Sequence, residues 1–130
     1  MIVADTDVLI DFLGGRNPAA ERVAIELERG QLTTTAVSRF ELLAGIRNRR
    51  QEKVVHELLR ALFTLPLDQG AADEAAEVRR TLELAGTPIG MGDSLIAGIV
   101  RFHDGLLVTR NRRHFERVKG LKLSLVTSEP

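Results

Sequence analysis

The chain has no cysteine, no tryptophan and no tyrosine, and only five phenylalanines and four prolines among its 130 residues. Without cysteine there is no disulfide, no thiolate nucleophile and no sulfur-ligated zinc or iron-sulfur site, which fits a reducing compartment. The shortage of aromatic rings leaves few platforms for stacking single-stranded bases, so any nucleic-acid chemistry would have to rest on charge and metal. No apolar run approaches the ~18 residues a membrane span needs, and Met1-Ile2-Val3-Ala4-Asp5 does not read as a targeting segment. A cytoplasmic protein with no membrane association is expected. Net charge is also lacking, because 18 basic residues balance 18 acidic ones. The balance hides a gradient: between Arg101 and Lys122 seven Lys or Arg face only Asp104 and Glu116.

What is present is ordinary for a globular domain, with 44% hydrophobic and 28% charged residues. At this length a chain buries roughly two thirds of its unfolded surface, so residues 1–130 are expected to form one domain. Ile2 to Asp5 reads as a buried strand, and Val8, Leu9, Phe12 and Leu13 follow at helical spacing until Gly14-Gly15. Asn17-Pro18 marks a second helix that runs to Gly30, and Leu32 to Ala36 is a Thr-rich strand. Ser38 and Glu41 have capping-box spacing ahead of Leu42, Leu43 and Ile46. Gln51 to Phe63 is strongly amphipathic, and Leu65-Pro66-Leu67 is an extended link or edge strand. Asp68 caps a helix with Ala72, Ala75, Ala76, Arg79 and Leu82 on its inner face, ending at Gly86. A loop from Thr87 to Gly92 delivers Asp93 to a helix with Leu95, Ile96, Ile99 and Val100 inward. Leu106 to Thr109 is a strand, Asn111 to Glu116 a helical turn, and Leu121 to Val126 a last strand. Strands alternating with helices predict an α/β fold of three layers, a mostly parallel central sheet with helices on both faces.

In such sheets ligands bind beyond the carboxyl ends of the strands. Asp5, Glu41, Asp93 and Asn111 all fall on that rim. Three carboxylates gathered without cations repel one another, so the cluster calls for a positive ligand. Mg²⁺ or Mn²⁺ suits oxygen donors, keeps several waters and needs no full protein cage. One or two such ions activate a water against a phosphodiester. Simpler roles stand beside this reading: Asp93 and Asn111 as helix caps, and Glu41 as the closing half of a capping box with Ser38.

Four segments carry a resemblance in order and spacing: Ala4-Asp5-Thr6-Asp7-Val8-Leu9-Ile10-Asp11, Ser38-Arg39-Phe40-Glu41-Leu42-Leu43-Ala44-Gly45-Ile46, Ile89-Gly90-Met91-Gly92-Asp93-Ser94-Leu95-Ile96-Ala97 and Leu107-Val108-Thr109-Arg110-Asn111-Arg112-Arg113-His114-Phe115. Over essentially its whole length the chain resembles PIN-domain proteins, most closely the VapC toxins of type II toxin-antitoxin pairs. The resemblance implies a Mg²⁺- or Mn²⁺-dependent endoribonuclease acting on RNA, silenced by a cognate VapB-type antitoxin and forming a homodimer. It places Asp5, Glu41 and Asp93 as the catalytic, metal-binding acids. The family's fourth position is an Asp, and Asn111 stands there, which removes one negative charge.

Asp7, Thr6 and Thr109 are expected to support the acids, Asp7 by steadying Asp5 or a nearby water, with helix capping as the alternative for Asp7 and capping or strand propensity for Thr6 and Thr109. Arg110, Arg112 and Arg113 would position RNA through its phosphates. His114 either contacts phosphate or packs, with packing favoured. Asp11 is expected to be an exposed helix residue outside the site, and Arg47, Arg49, Arg50 and Lys53 form either a second RNA-positioning cluster or, the favoured reading, a solvated helix end. Two other functions remain open. Asp5-Thr6-Asp7-Val8 also fits the phosphoaspartate motif of haloacid-dehalogenase-type phosphatases, although the residues after Ser94 lack that family's second acid. Asn111 favours a non-catalytic module that keeps the fold for partner contact alone.

Overall fold

Three of the sheet's five strands are the short, continuously apolar or Thr-rich runs read from the sequence, and in the computed structural model, which describes residues 1–127, they are its inner members. These are β1 (Ile2–Ala4), β2 (Leu32–Thr35) and β4 (Leu106–Thr109), with β3 (Phe63–Leu65) and β5 (Lys122–Leu125) at the edges. The order is β3-β2-β1-β4-β5, and every pairing among the described residues is parallel. Ile2 lies level with both Leu32 and Leu106, so the carboxyl ends of β1, β2 and β4 finish at one rim.

The helices are α1 (Thr6–Leu13), α2 (Ala19–Glu28), α3 (Ala36–Ala44), α4 (Arg49–Arg60), α5 (Gln69–Leu84), α6 (Met91–Phe102) and α7 (Arg112–Phe115). The two-residue period of β1 sorts its side chains between two cores. Val3 and Leu107 pack with Val78 and Leu82 of α5, Ile96 and Ile99 of α6, and Phe115 of α7. Ala4 and Val108 pack on the opposite side with Val8, Val23, Leu42 and Leu58 of α1 to α4. The expected three-layer α/β architecture is therefore the observed one, with an all-parallel sheet.

Several local expectations are corrected. The helix expected from Gln51 to Phe63 starts at Arg49, because the Asn48 side chain accepts from the Gln51 N–H at 2.9 Å, and it yields to β3 at Phe63. Pro66 lies just beyond β3 rather than inside an edge strand. The buried stripe of α5 is Ala71, Ala75, Val78 and Leu82, one position round from that expected; alanines at 71, 72, 75 and 76 make either face look apolar in sequence. At Gly98 a Cβ would lie 2.5 Å from the Ala75 backbone, so α5 and α6 approach as closely as they do because position 98 has no side chain. The Ser38–Glu41 capping box is absent. Helix α3 follows β2 without a loop, and Thr35 is its cap, its Oγ1 accepting from the Ser38 N–H at 3.0 Å. No described helix is long and apolar enough to cross a membrane.

Candidate active site

Asp5 leaves β1 and caps α1, its Oδ1 accepting from the Thr6 N–H at 2.8 Å. Its Oδ2 accepts from the Thr109 hydroxyl at 2.7 Å, and its backbone N–H bonds to Val108. The carboxyl is thus fixed from β1 and β4 together and is almost wholly buried. Burial pushes the Asp5 carboxyl up to about 7, helped by the negative charges of Asp7 and Asp93 and opposed by the Thr109 and Thr6 hydrogen bonds. Asp7 is raised as well, chiefly by burial, against the pull of the Arg110 N–H, which donates to its Oδ2 at 3.0 Å, and of the Arg110 charge. Asp7 is not the helix cap; Asp5 holds that position.

Glu41 lies one turn beyond Ser38 on α3, so both face Thr6. The Thr6 Oγ1 lies 2.5 Å from Glu41 Oε1 and 2.8 Å from Ser38 Oγ. The other oxygen, Oε2, faces the first turn of α6, where a Cβ on Gly92 would be 3.4 Å away. Glu41 thus lies against the helix that carries Asp93. Gly90, not Asp93, caps α6; Asp93 stands in the first turn, where the helix dipole favours negative charge.

Asp93 Oδ2 is 2.6 Å from His114 Nδ1, which also lies 2.9 Å from Asn111 Nδ2. A single ring nitrogen serves only one of these contacts, and the shorter one, to a charged acceptor, favours a proton on Nδ1 donated to Asp93. The packing role expected of His114 is therefore corrected: its ring is partly exposed and turned to the rim. Asn111 does cap α7, its Oδ1 accepting from the His114 N–H at 3.3 Å.

Asp11 departs furthest from expectation. It is buried, and its carboxylate takes Arg110 through Nε at 2.5 Å and Nη2 at 3.3 Å, with Arg16 Nε at 3.2 Å on the outer side. The last turn of α1 lies under the end of β4, a proximity that helical spacing alone does not reveal. Arg110 is thereby committed to Asp11 and Arg112 to Glu116 at 2.9 Å, while Arg113 has no ion-pair partner among the described residues. The basic excess after Arg101 is only partly neutralised, by Asp11 on Arg110 and by Glu74 and Glu77 on Arg101, since Arg112 and Lys122 pair with Glu116 and Asp104 of the same segment. Arg47, Arg49, Arg50 and Lys53 are exposed at the start of α4, as a solvated helix end should be.

The rim thus gathers Asp5, Asp7 and Asp93 closely enough to share a field, with Glu41 linked to Asp5 through Thr6. Among the described residues no three acidic or histidine side chains close tightly around one point. The donor set is nevertheless of one kind, carboxylate oxygen, and Asp5 is raised chiefly by burial and further by the negative charges of Asp7 and Asp93. Both features fit a hard divalent cation.

The PIN domain model matches residues 2–121. The chain belongs to the PIN domain family. All four segments noted in the sequence lie within that match, and the phosphatase-like reading of Asp5-Thr6-Asp7-Val8 falls with it. This PIN domain is 32% identical over 122 residues to the tRNA(fMet)-specific endonuclease VapC of Shigella flexneri, covering 91% of this chain and 92% of that one. It is 33% identical to the ribonuclease VapC10 of Mycobacterium tuberculosis, over 94% of this chain and 91% of the relative. Among solved structures it superposes on a chain of the DNA-bound VapBC of Salmonella typhimurium with a TM-score of 0.83 and 26% identity, covering 95% and 96% of the two chains.

Proposed function

We propose that this PIN domain is the toxin of a type II toxin-antitoxin pair, a single-domain, cytoplasmic endoribonuclease that hydrolyses RNA phosphodiester bonds and is held inactive by a VapB-type antitoxin. The observation that carries the reading is the gathering of Asp5, Asp93 and, through Thr6 and Gly92, Glu41 at one rim of the sheet. Relatives named as VapC ribonucleases and a solved VapBC complex support it.

In this reading Asp5, Glu41 and Asp93 are the catalytic acids and hold Mg²⁺ or Mn²⁺. The chemistry a bound divalent cation supplies is activation of a water for in-line attack and neutralisation of the departing oxygen. Thr109 and the Thr6 N–H fix both oxygens of Asp5, and Arg110 fixes Asp7 through its backbone. Asn111 sets the turn that brings His114 against Asp93. Arg113 offers its unpaired guanidinium to the phosphate backbone, with Arg110 and Arg112 flanking it as partly neutralised contacts. The antitoxin and a second copy of the chain are the protein partners; Phe40, Phe63, Leu84 and Met91 are exposed apolar side chains available to such contacts.

The test is cleavage of total cellular RNA by antitoxin-free protein in EDTA, Mg²⁺ or Mn²⁺, with Asp5→Ala and Asp93→Asn beside the wild type. Discrete, metal-dependent fragments are expected from the wild type alone, with cleavage by Asp93→Asn reduced at least ~100-fold and its melting temperature unchanged or slightly raised, because repulsion at the rim is relieved. RNA left intact by folded wild type under every metal condition would overturn the nuclease and favour a PIN fold used only for binding.

A further inference from the structure

The buried hydroxyls of Thr35 and Ser38 are not explained by helix capping alone. Capping of α3 uses the Thr35 oxygen as an acceptor for the Ser38 N–H, which leaves the Thr35 proton and the whole Ser38 hydroxyl to be placed. Proton counting then fixes every direction, since a hydroxyl has one proton and a carboxylate only accepts. The Thr6 hydroxyl must donate to Glu41, because Glu41 has no proton to give. Thr6 can therefore only accept from Ser38, and Ser38, its proton used there, can only accept from Thr35 at 3.3 Å. The donors run one way, from Thr35 through Ser38 and Thr6 to Glu41 Oε1.

Thr35 and Ser38 are completely buried, so water cannot replace a lost link, whereas Glu41 is exposed on a nine-residue helix. A free glutamate there would sample many rotamers. We propose, on the footing of the nuclease reading above, that Ser38 and Thr35 are positioning residues for Glu41, holding its carboxylate toward Gly92 and Asp93 through the Thr6 hydroxyl. Hydrogen bonds aligned head to tail polarise one another, which strengthens the terminal bond to the carboxylate. The Thr35–Ser38 link is the longest in the chain, longer than an ordinary O–H···O bond, so Ser38 carries more of the effect than Thr35.

The experiment is calorimetric Mn²⁺ binding to the antitoxin-free chain, run for wild type, Ser38→Ala, Thr6→Val and the double variant, with single-turnover RNA cleavage in parallel. Ser38→Ala is expected to weaken Mn²⁺ binding about tenfold, the usual size for losing a partner that orients a ligand. Thr6→Val should do at least as much while leaving both cores untouched. The decisive result is non-additivity: if Ser38 acts through Thr6, the double variant binds Mn²⁺ no more weakly than Thr6→Val, and Thr6→Ser, which restores the hydroxyl, recovers wild-type affinity. A merely structural Ser38 would lower the melting temperature without this pattern. Additive losses, or wild-type affinity in folded Ser38→Ala, would overturn the relay alone. A wild type that binds no Mn²⁺ would overturn the metal reading and the relay together.

Discussion

Between α5 and α6 the Arg101 guanidinium lies against Glu74, with Nε donating at 3.0 Å, and against Glu77, and it also bonds the backbone oxygens of Glu74 and Lys119. The Thr81 hydroxyl and Arg101 together hold the Glu77 carboxyl below its ordinary value. At the carboxyl rim of the sheet the same residue types are treated in the opposite way. Asp5, Asp7 and Asp93 face one another, Asp5 is buried and raised to about 7, and the nearest guanidinium, Arg110, is turned onto Asp11. One cluster supplies its own counter-charge and ties two helices together. The other leaves much of its negative charge without a counter-charge, which fits the proposed divalent cation.

The sharpest way to break this contrast is to titrate the metal-free protein. Because folding raises the Asp5 carboxyl above its unfolded value, the folded state holds more protons in the window between, and stability is lost as pH rises from about 4 to about 7. The loss should be on the order of a few kcal/mol in EDTA, read from thermal melts by circular dichroism. Mg²⁺ should reverse it, and Asp5→Asn should flatten it. Equal melting temperatures across that range in EDTA would remove the deficit on which the contrast rests. Next in size is Arg101→Met, expected to cost about 2 kcal/mol, since it leaves Glu74 and Glu77 facing each other and two carbonyls without their donor. RNA cleavage per folded molecule should be unchanged, and a matching loss of cleavage would mean that the two clusters are coupled. The smallest effect belongs to Glu77→Gln. Its carboxylate is partly in water, so stability should change by less than ~0.5 kcal/mol and depend slightly less on salt.

One side of this contrast, the carboxylate rim, is legible in the sequence. Asp5 and Asn111 sit just beyond apolar runs whose strand character is plain, Asp93 opens the helix that precedes the second of them, and parallel strands bring these positions to one rim. Two kinds of information were out of reach. One is choice between equivalent spacings: Thr35 to Ser38 and Ser38 to Glu41 are both three residues apart, and only the absence of a loop between β2 and α3 makes Thr35 the cap and frees Ser38 for Thr6. The other is proximity across the sheet, which placed Asp11 beneath Arg110 and His114 against Asp93. Each of these polar side chains looks solvent-facing or core-filling on its own element and acquires its partner from a segment some 20 to 100 residues away.

The strand order has a consequence for the making of the protein. β1 finds its inner neighbour β4 only after about a hundred further residues have been added, and that pairing brings Thr109 onto Asp5. Contacts of such long sequence separation form late. A chain made only as far as α5 therefore holds Asp5 and Glu41 with neither Asp93 nor Thr109 beside them, so the carboxylate rim is assembled only once β4 has been added.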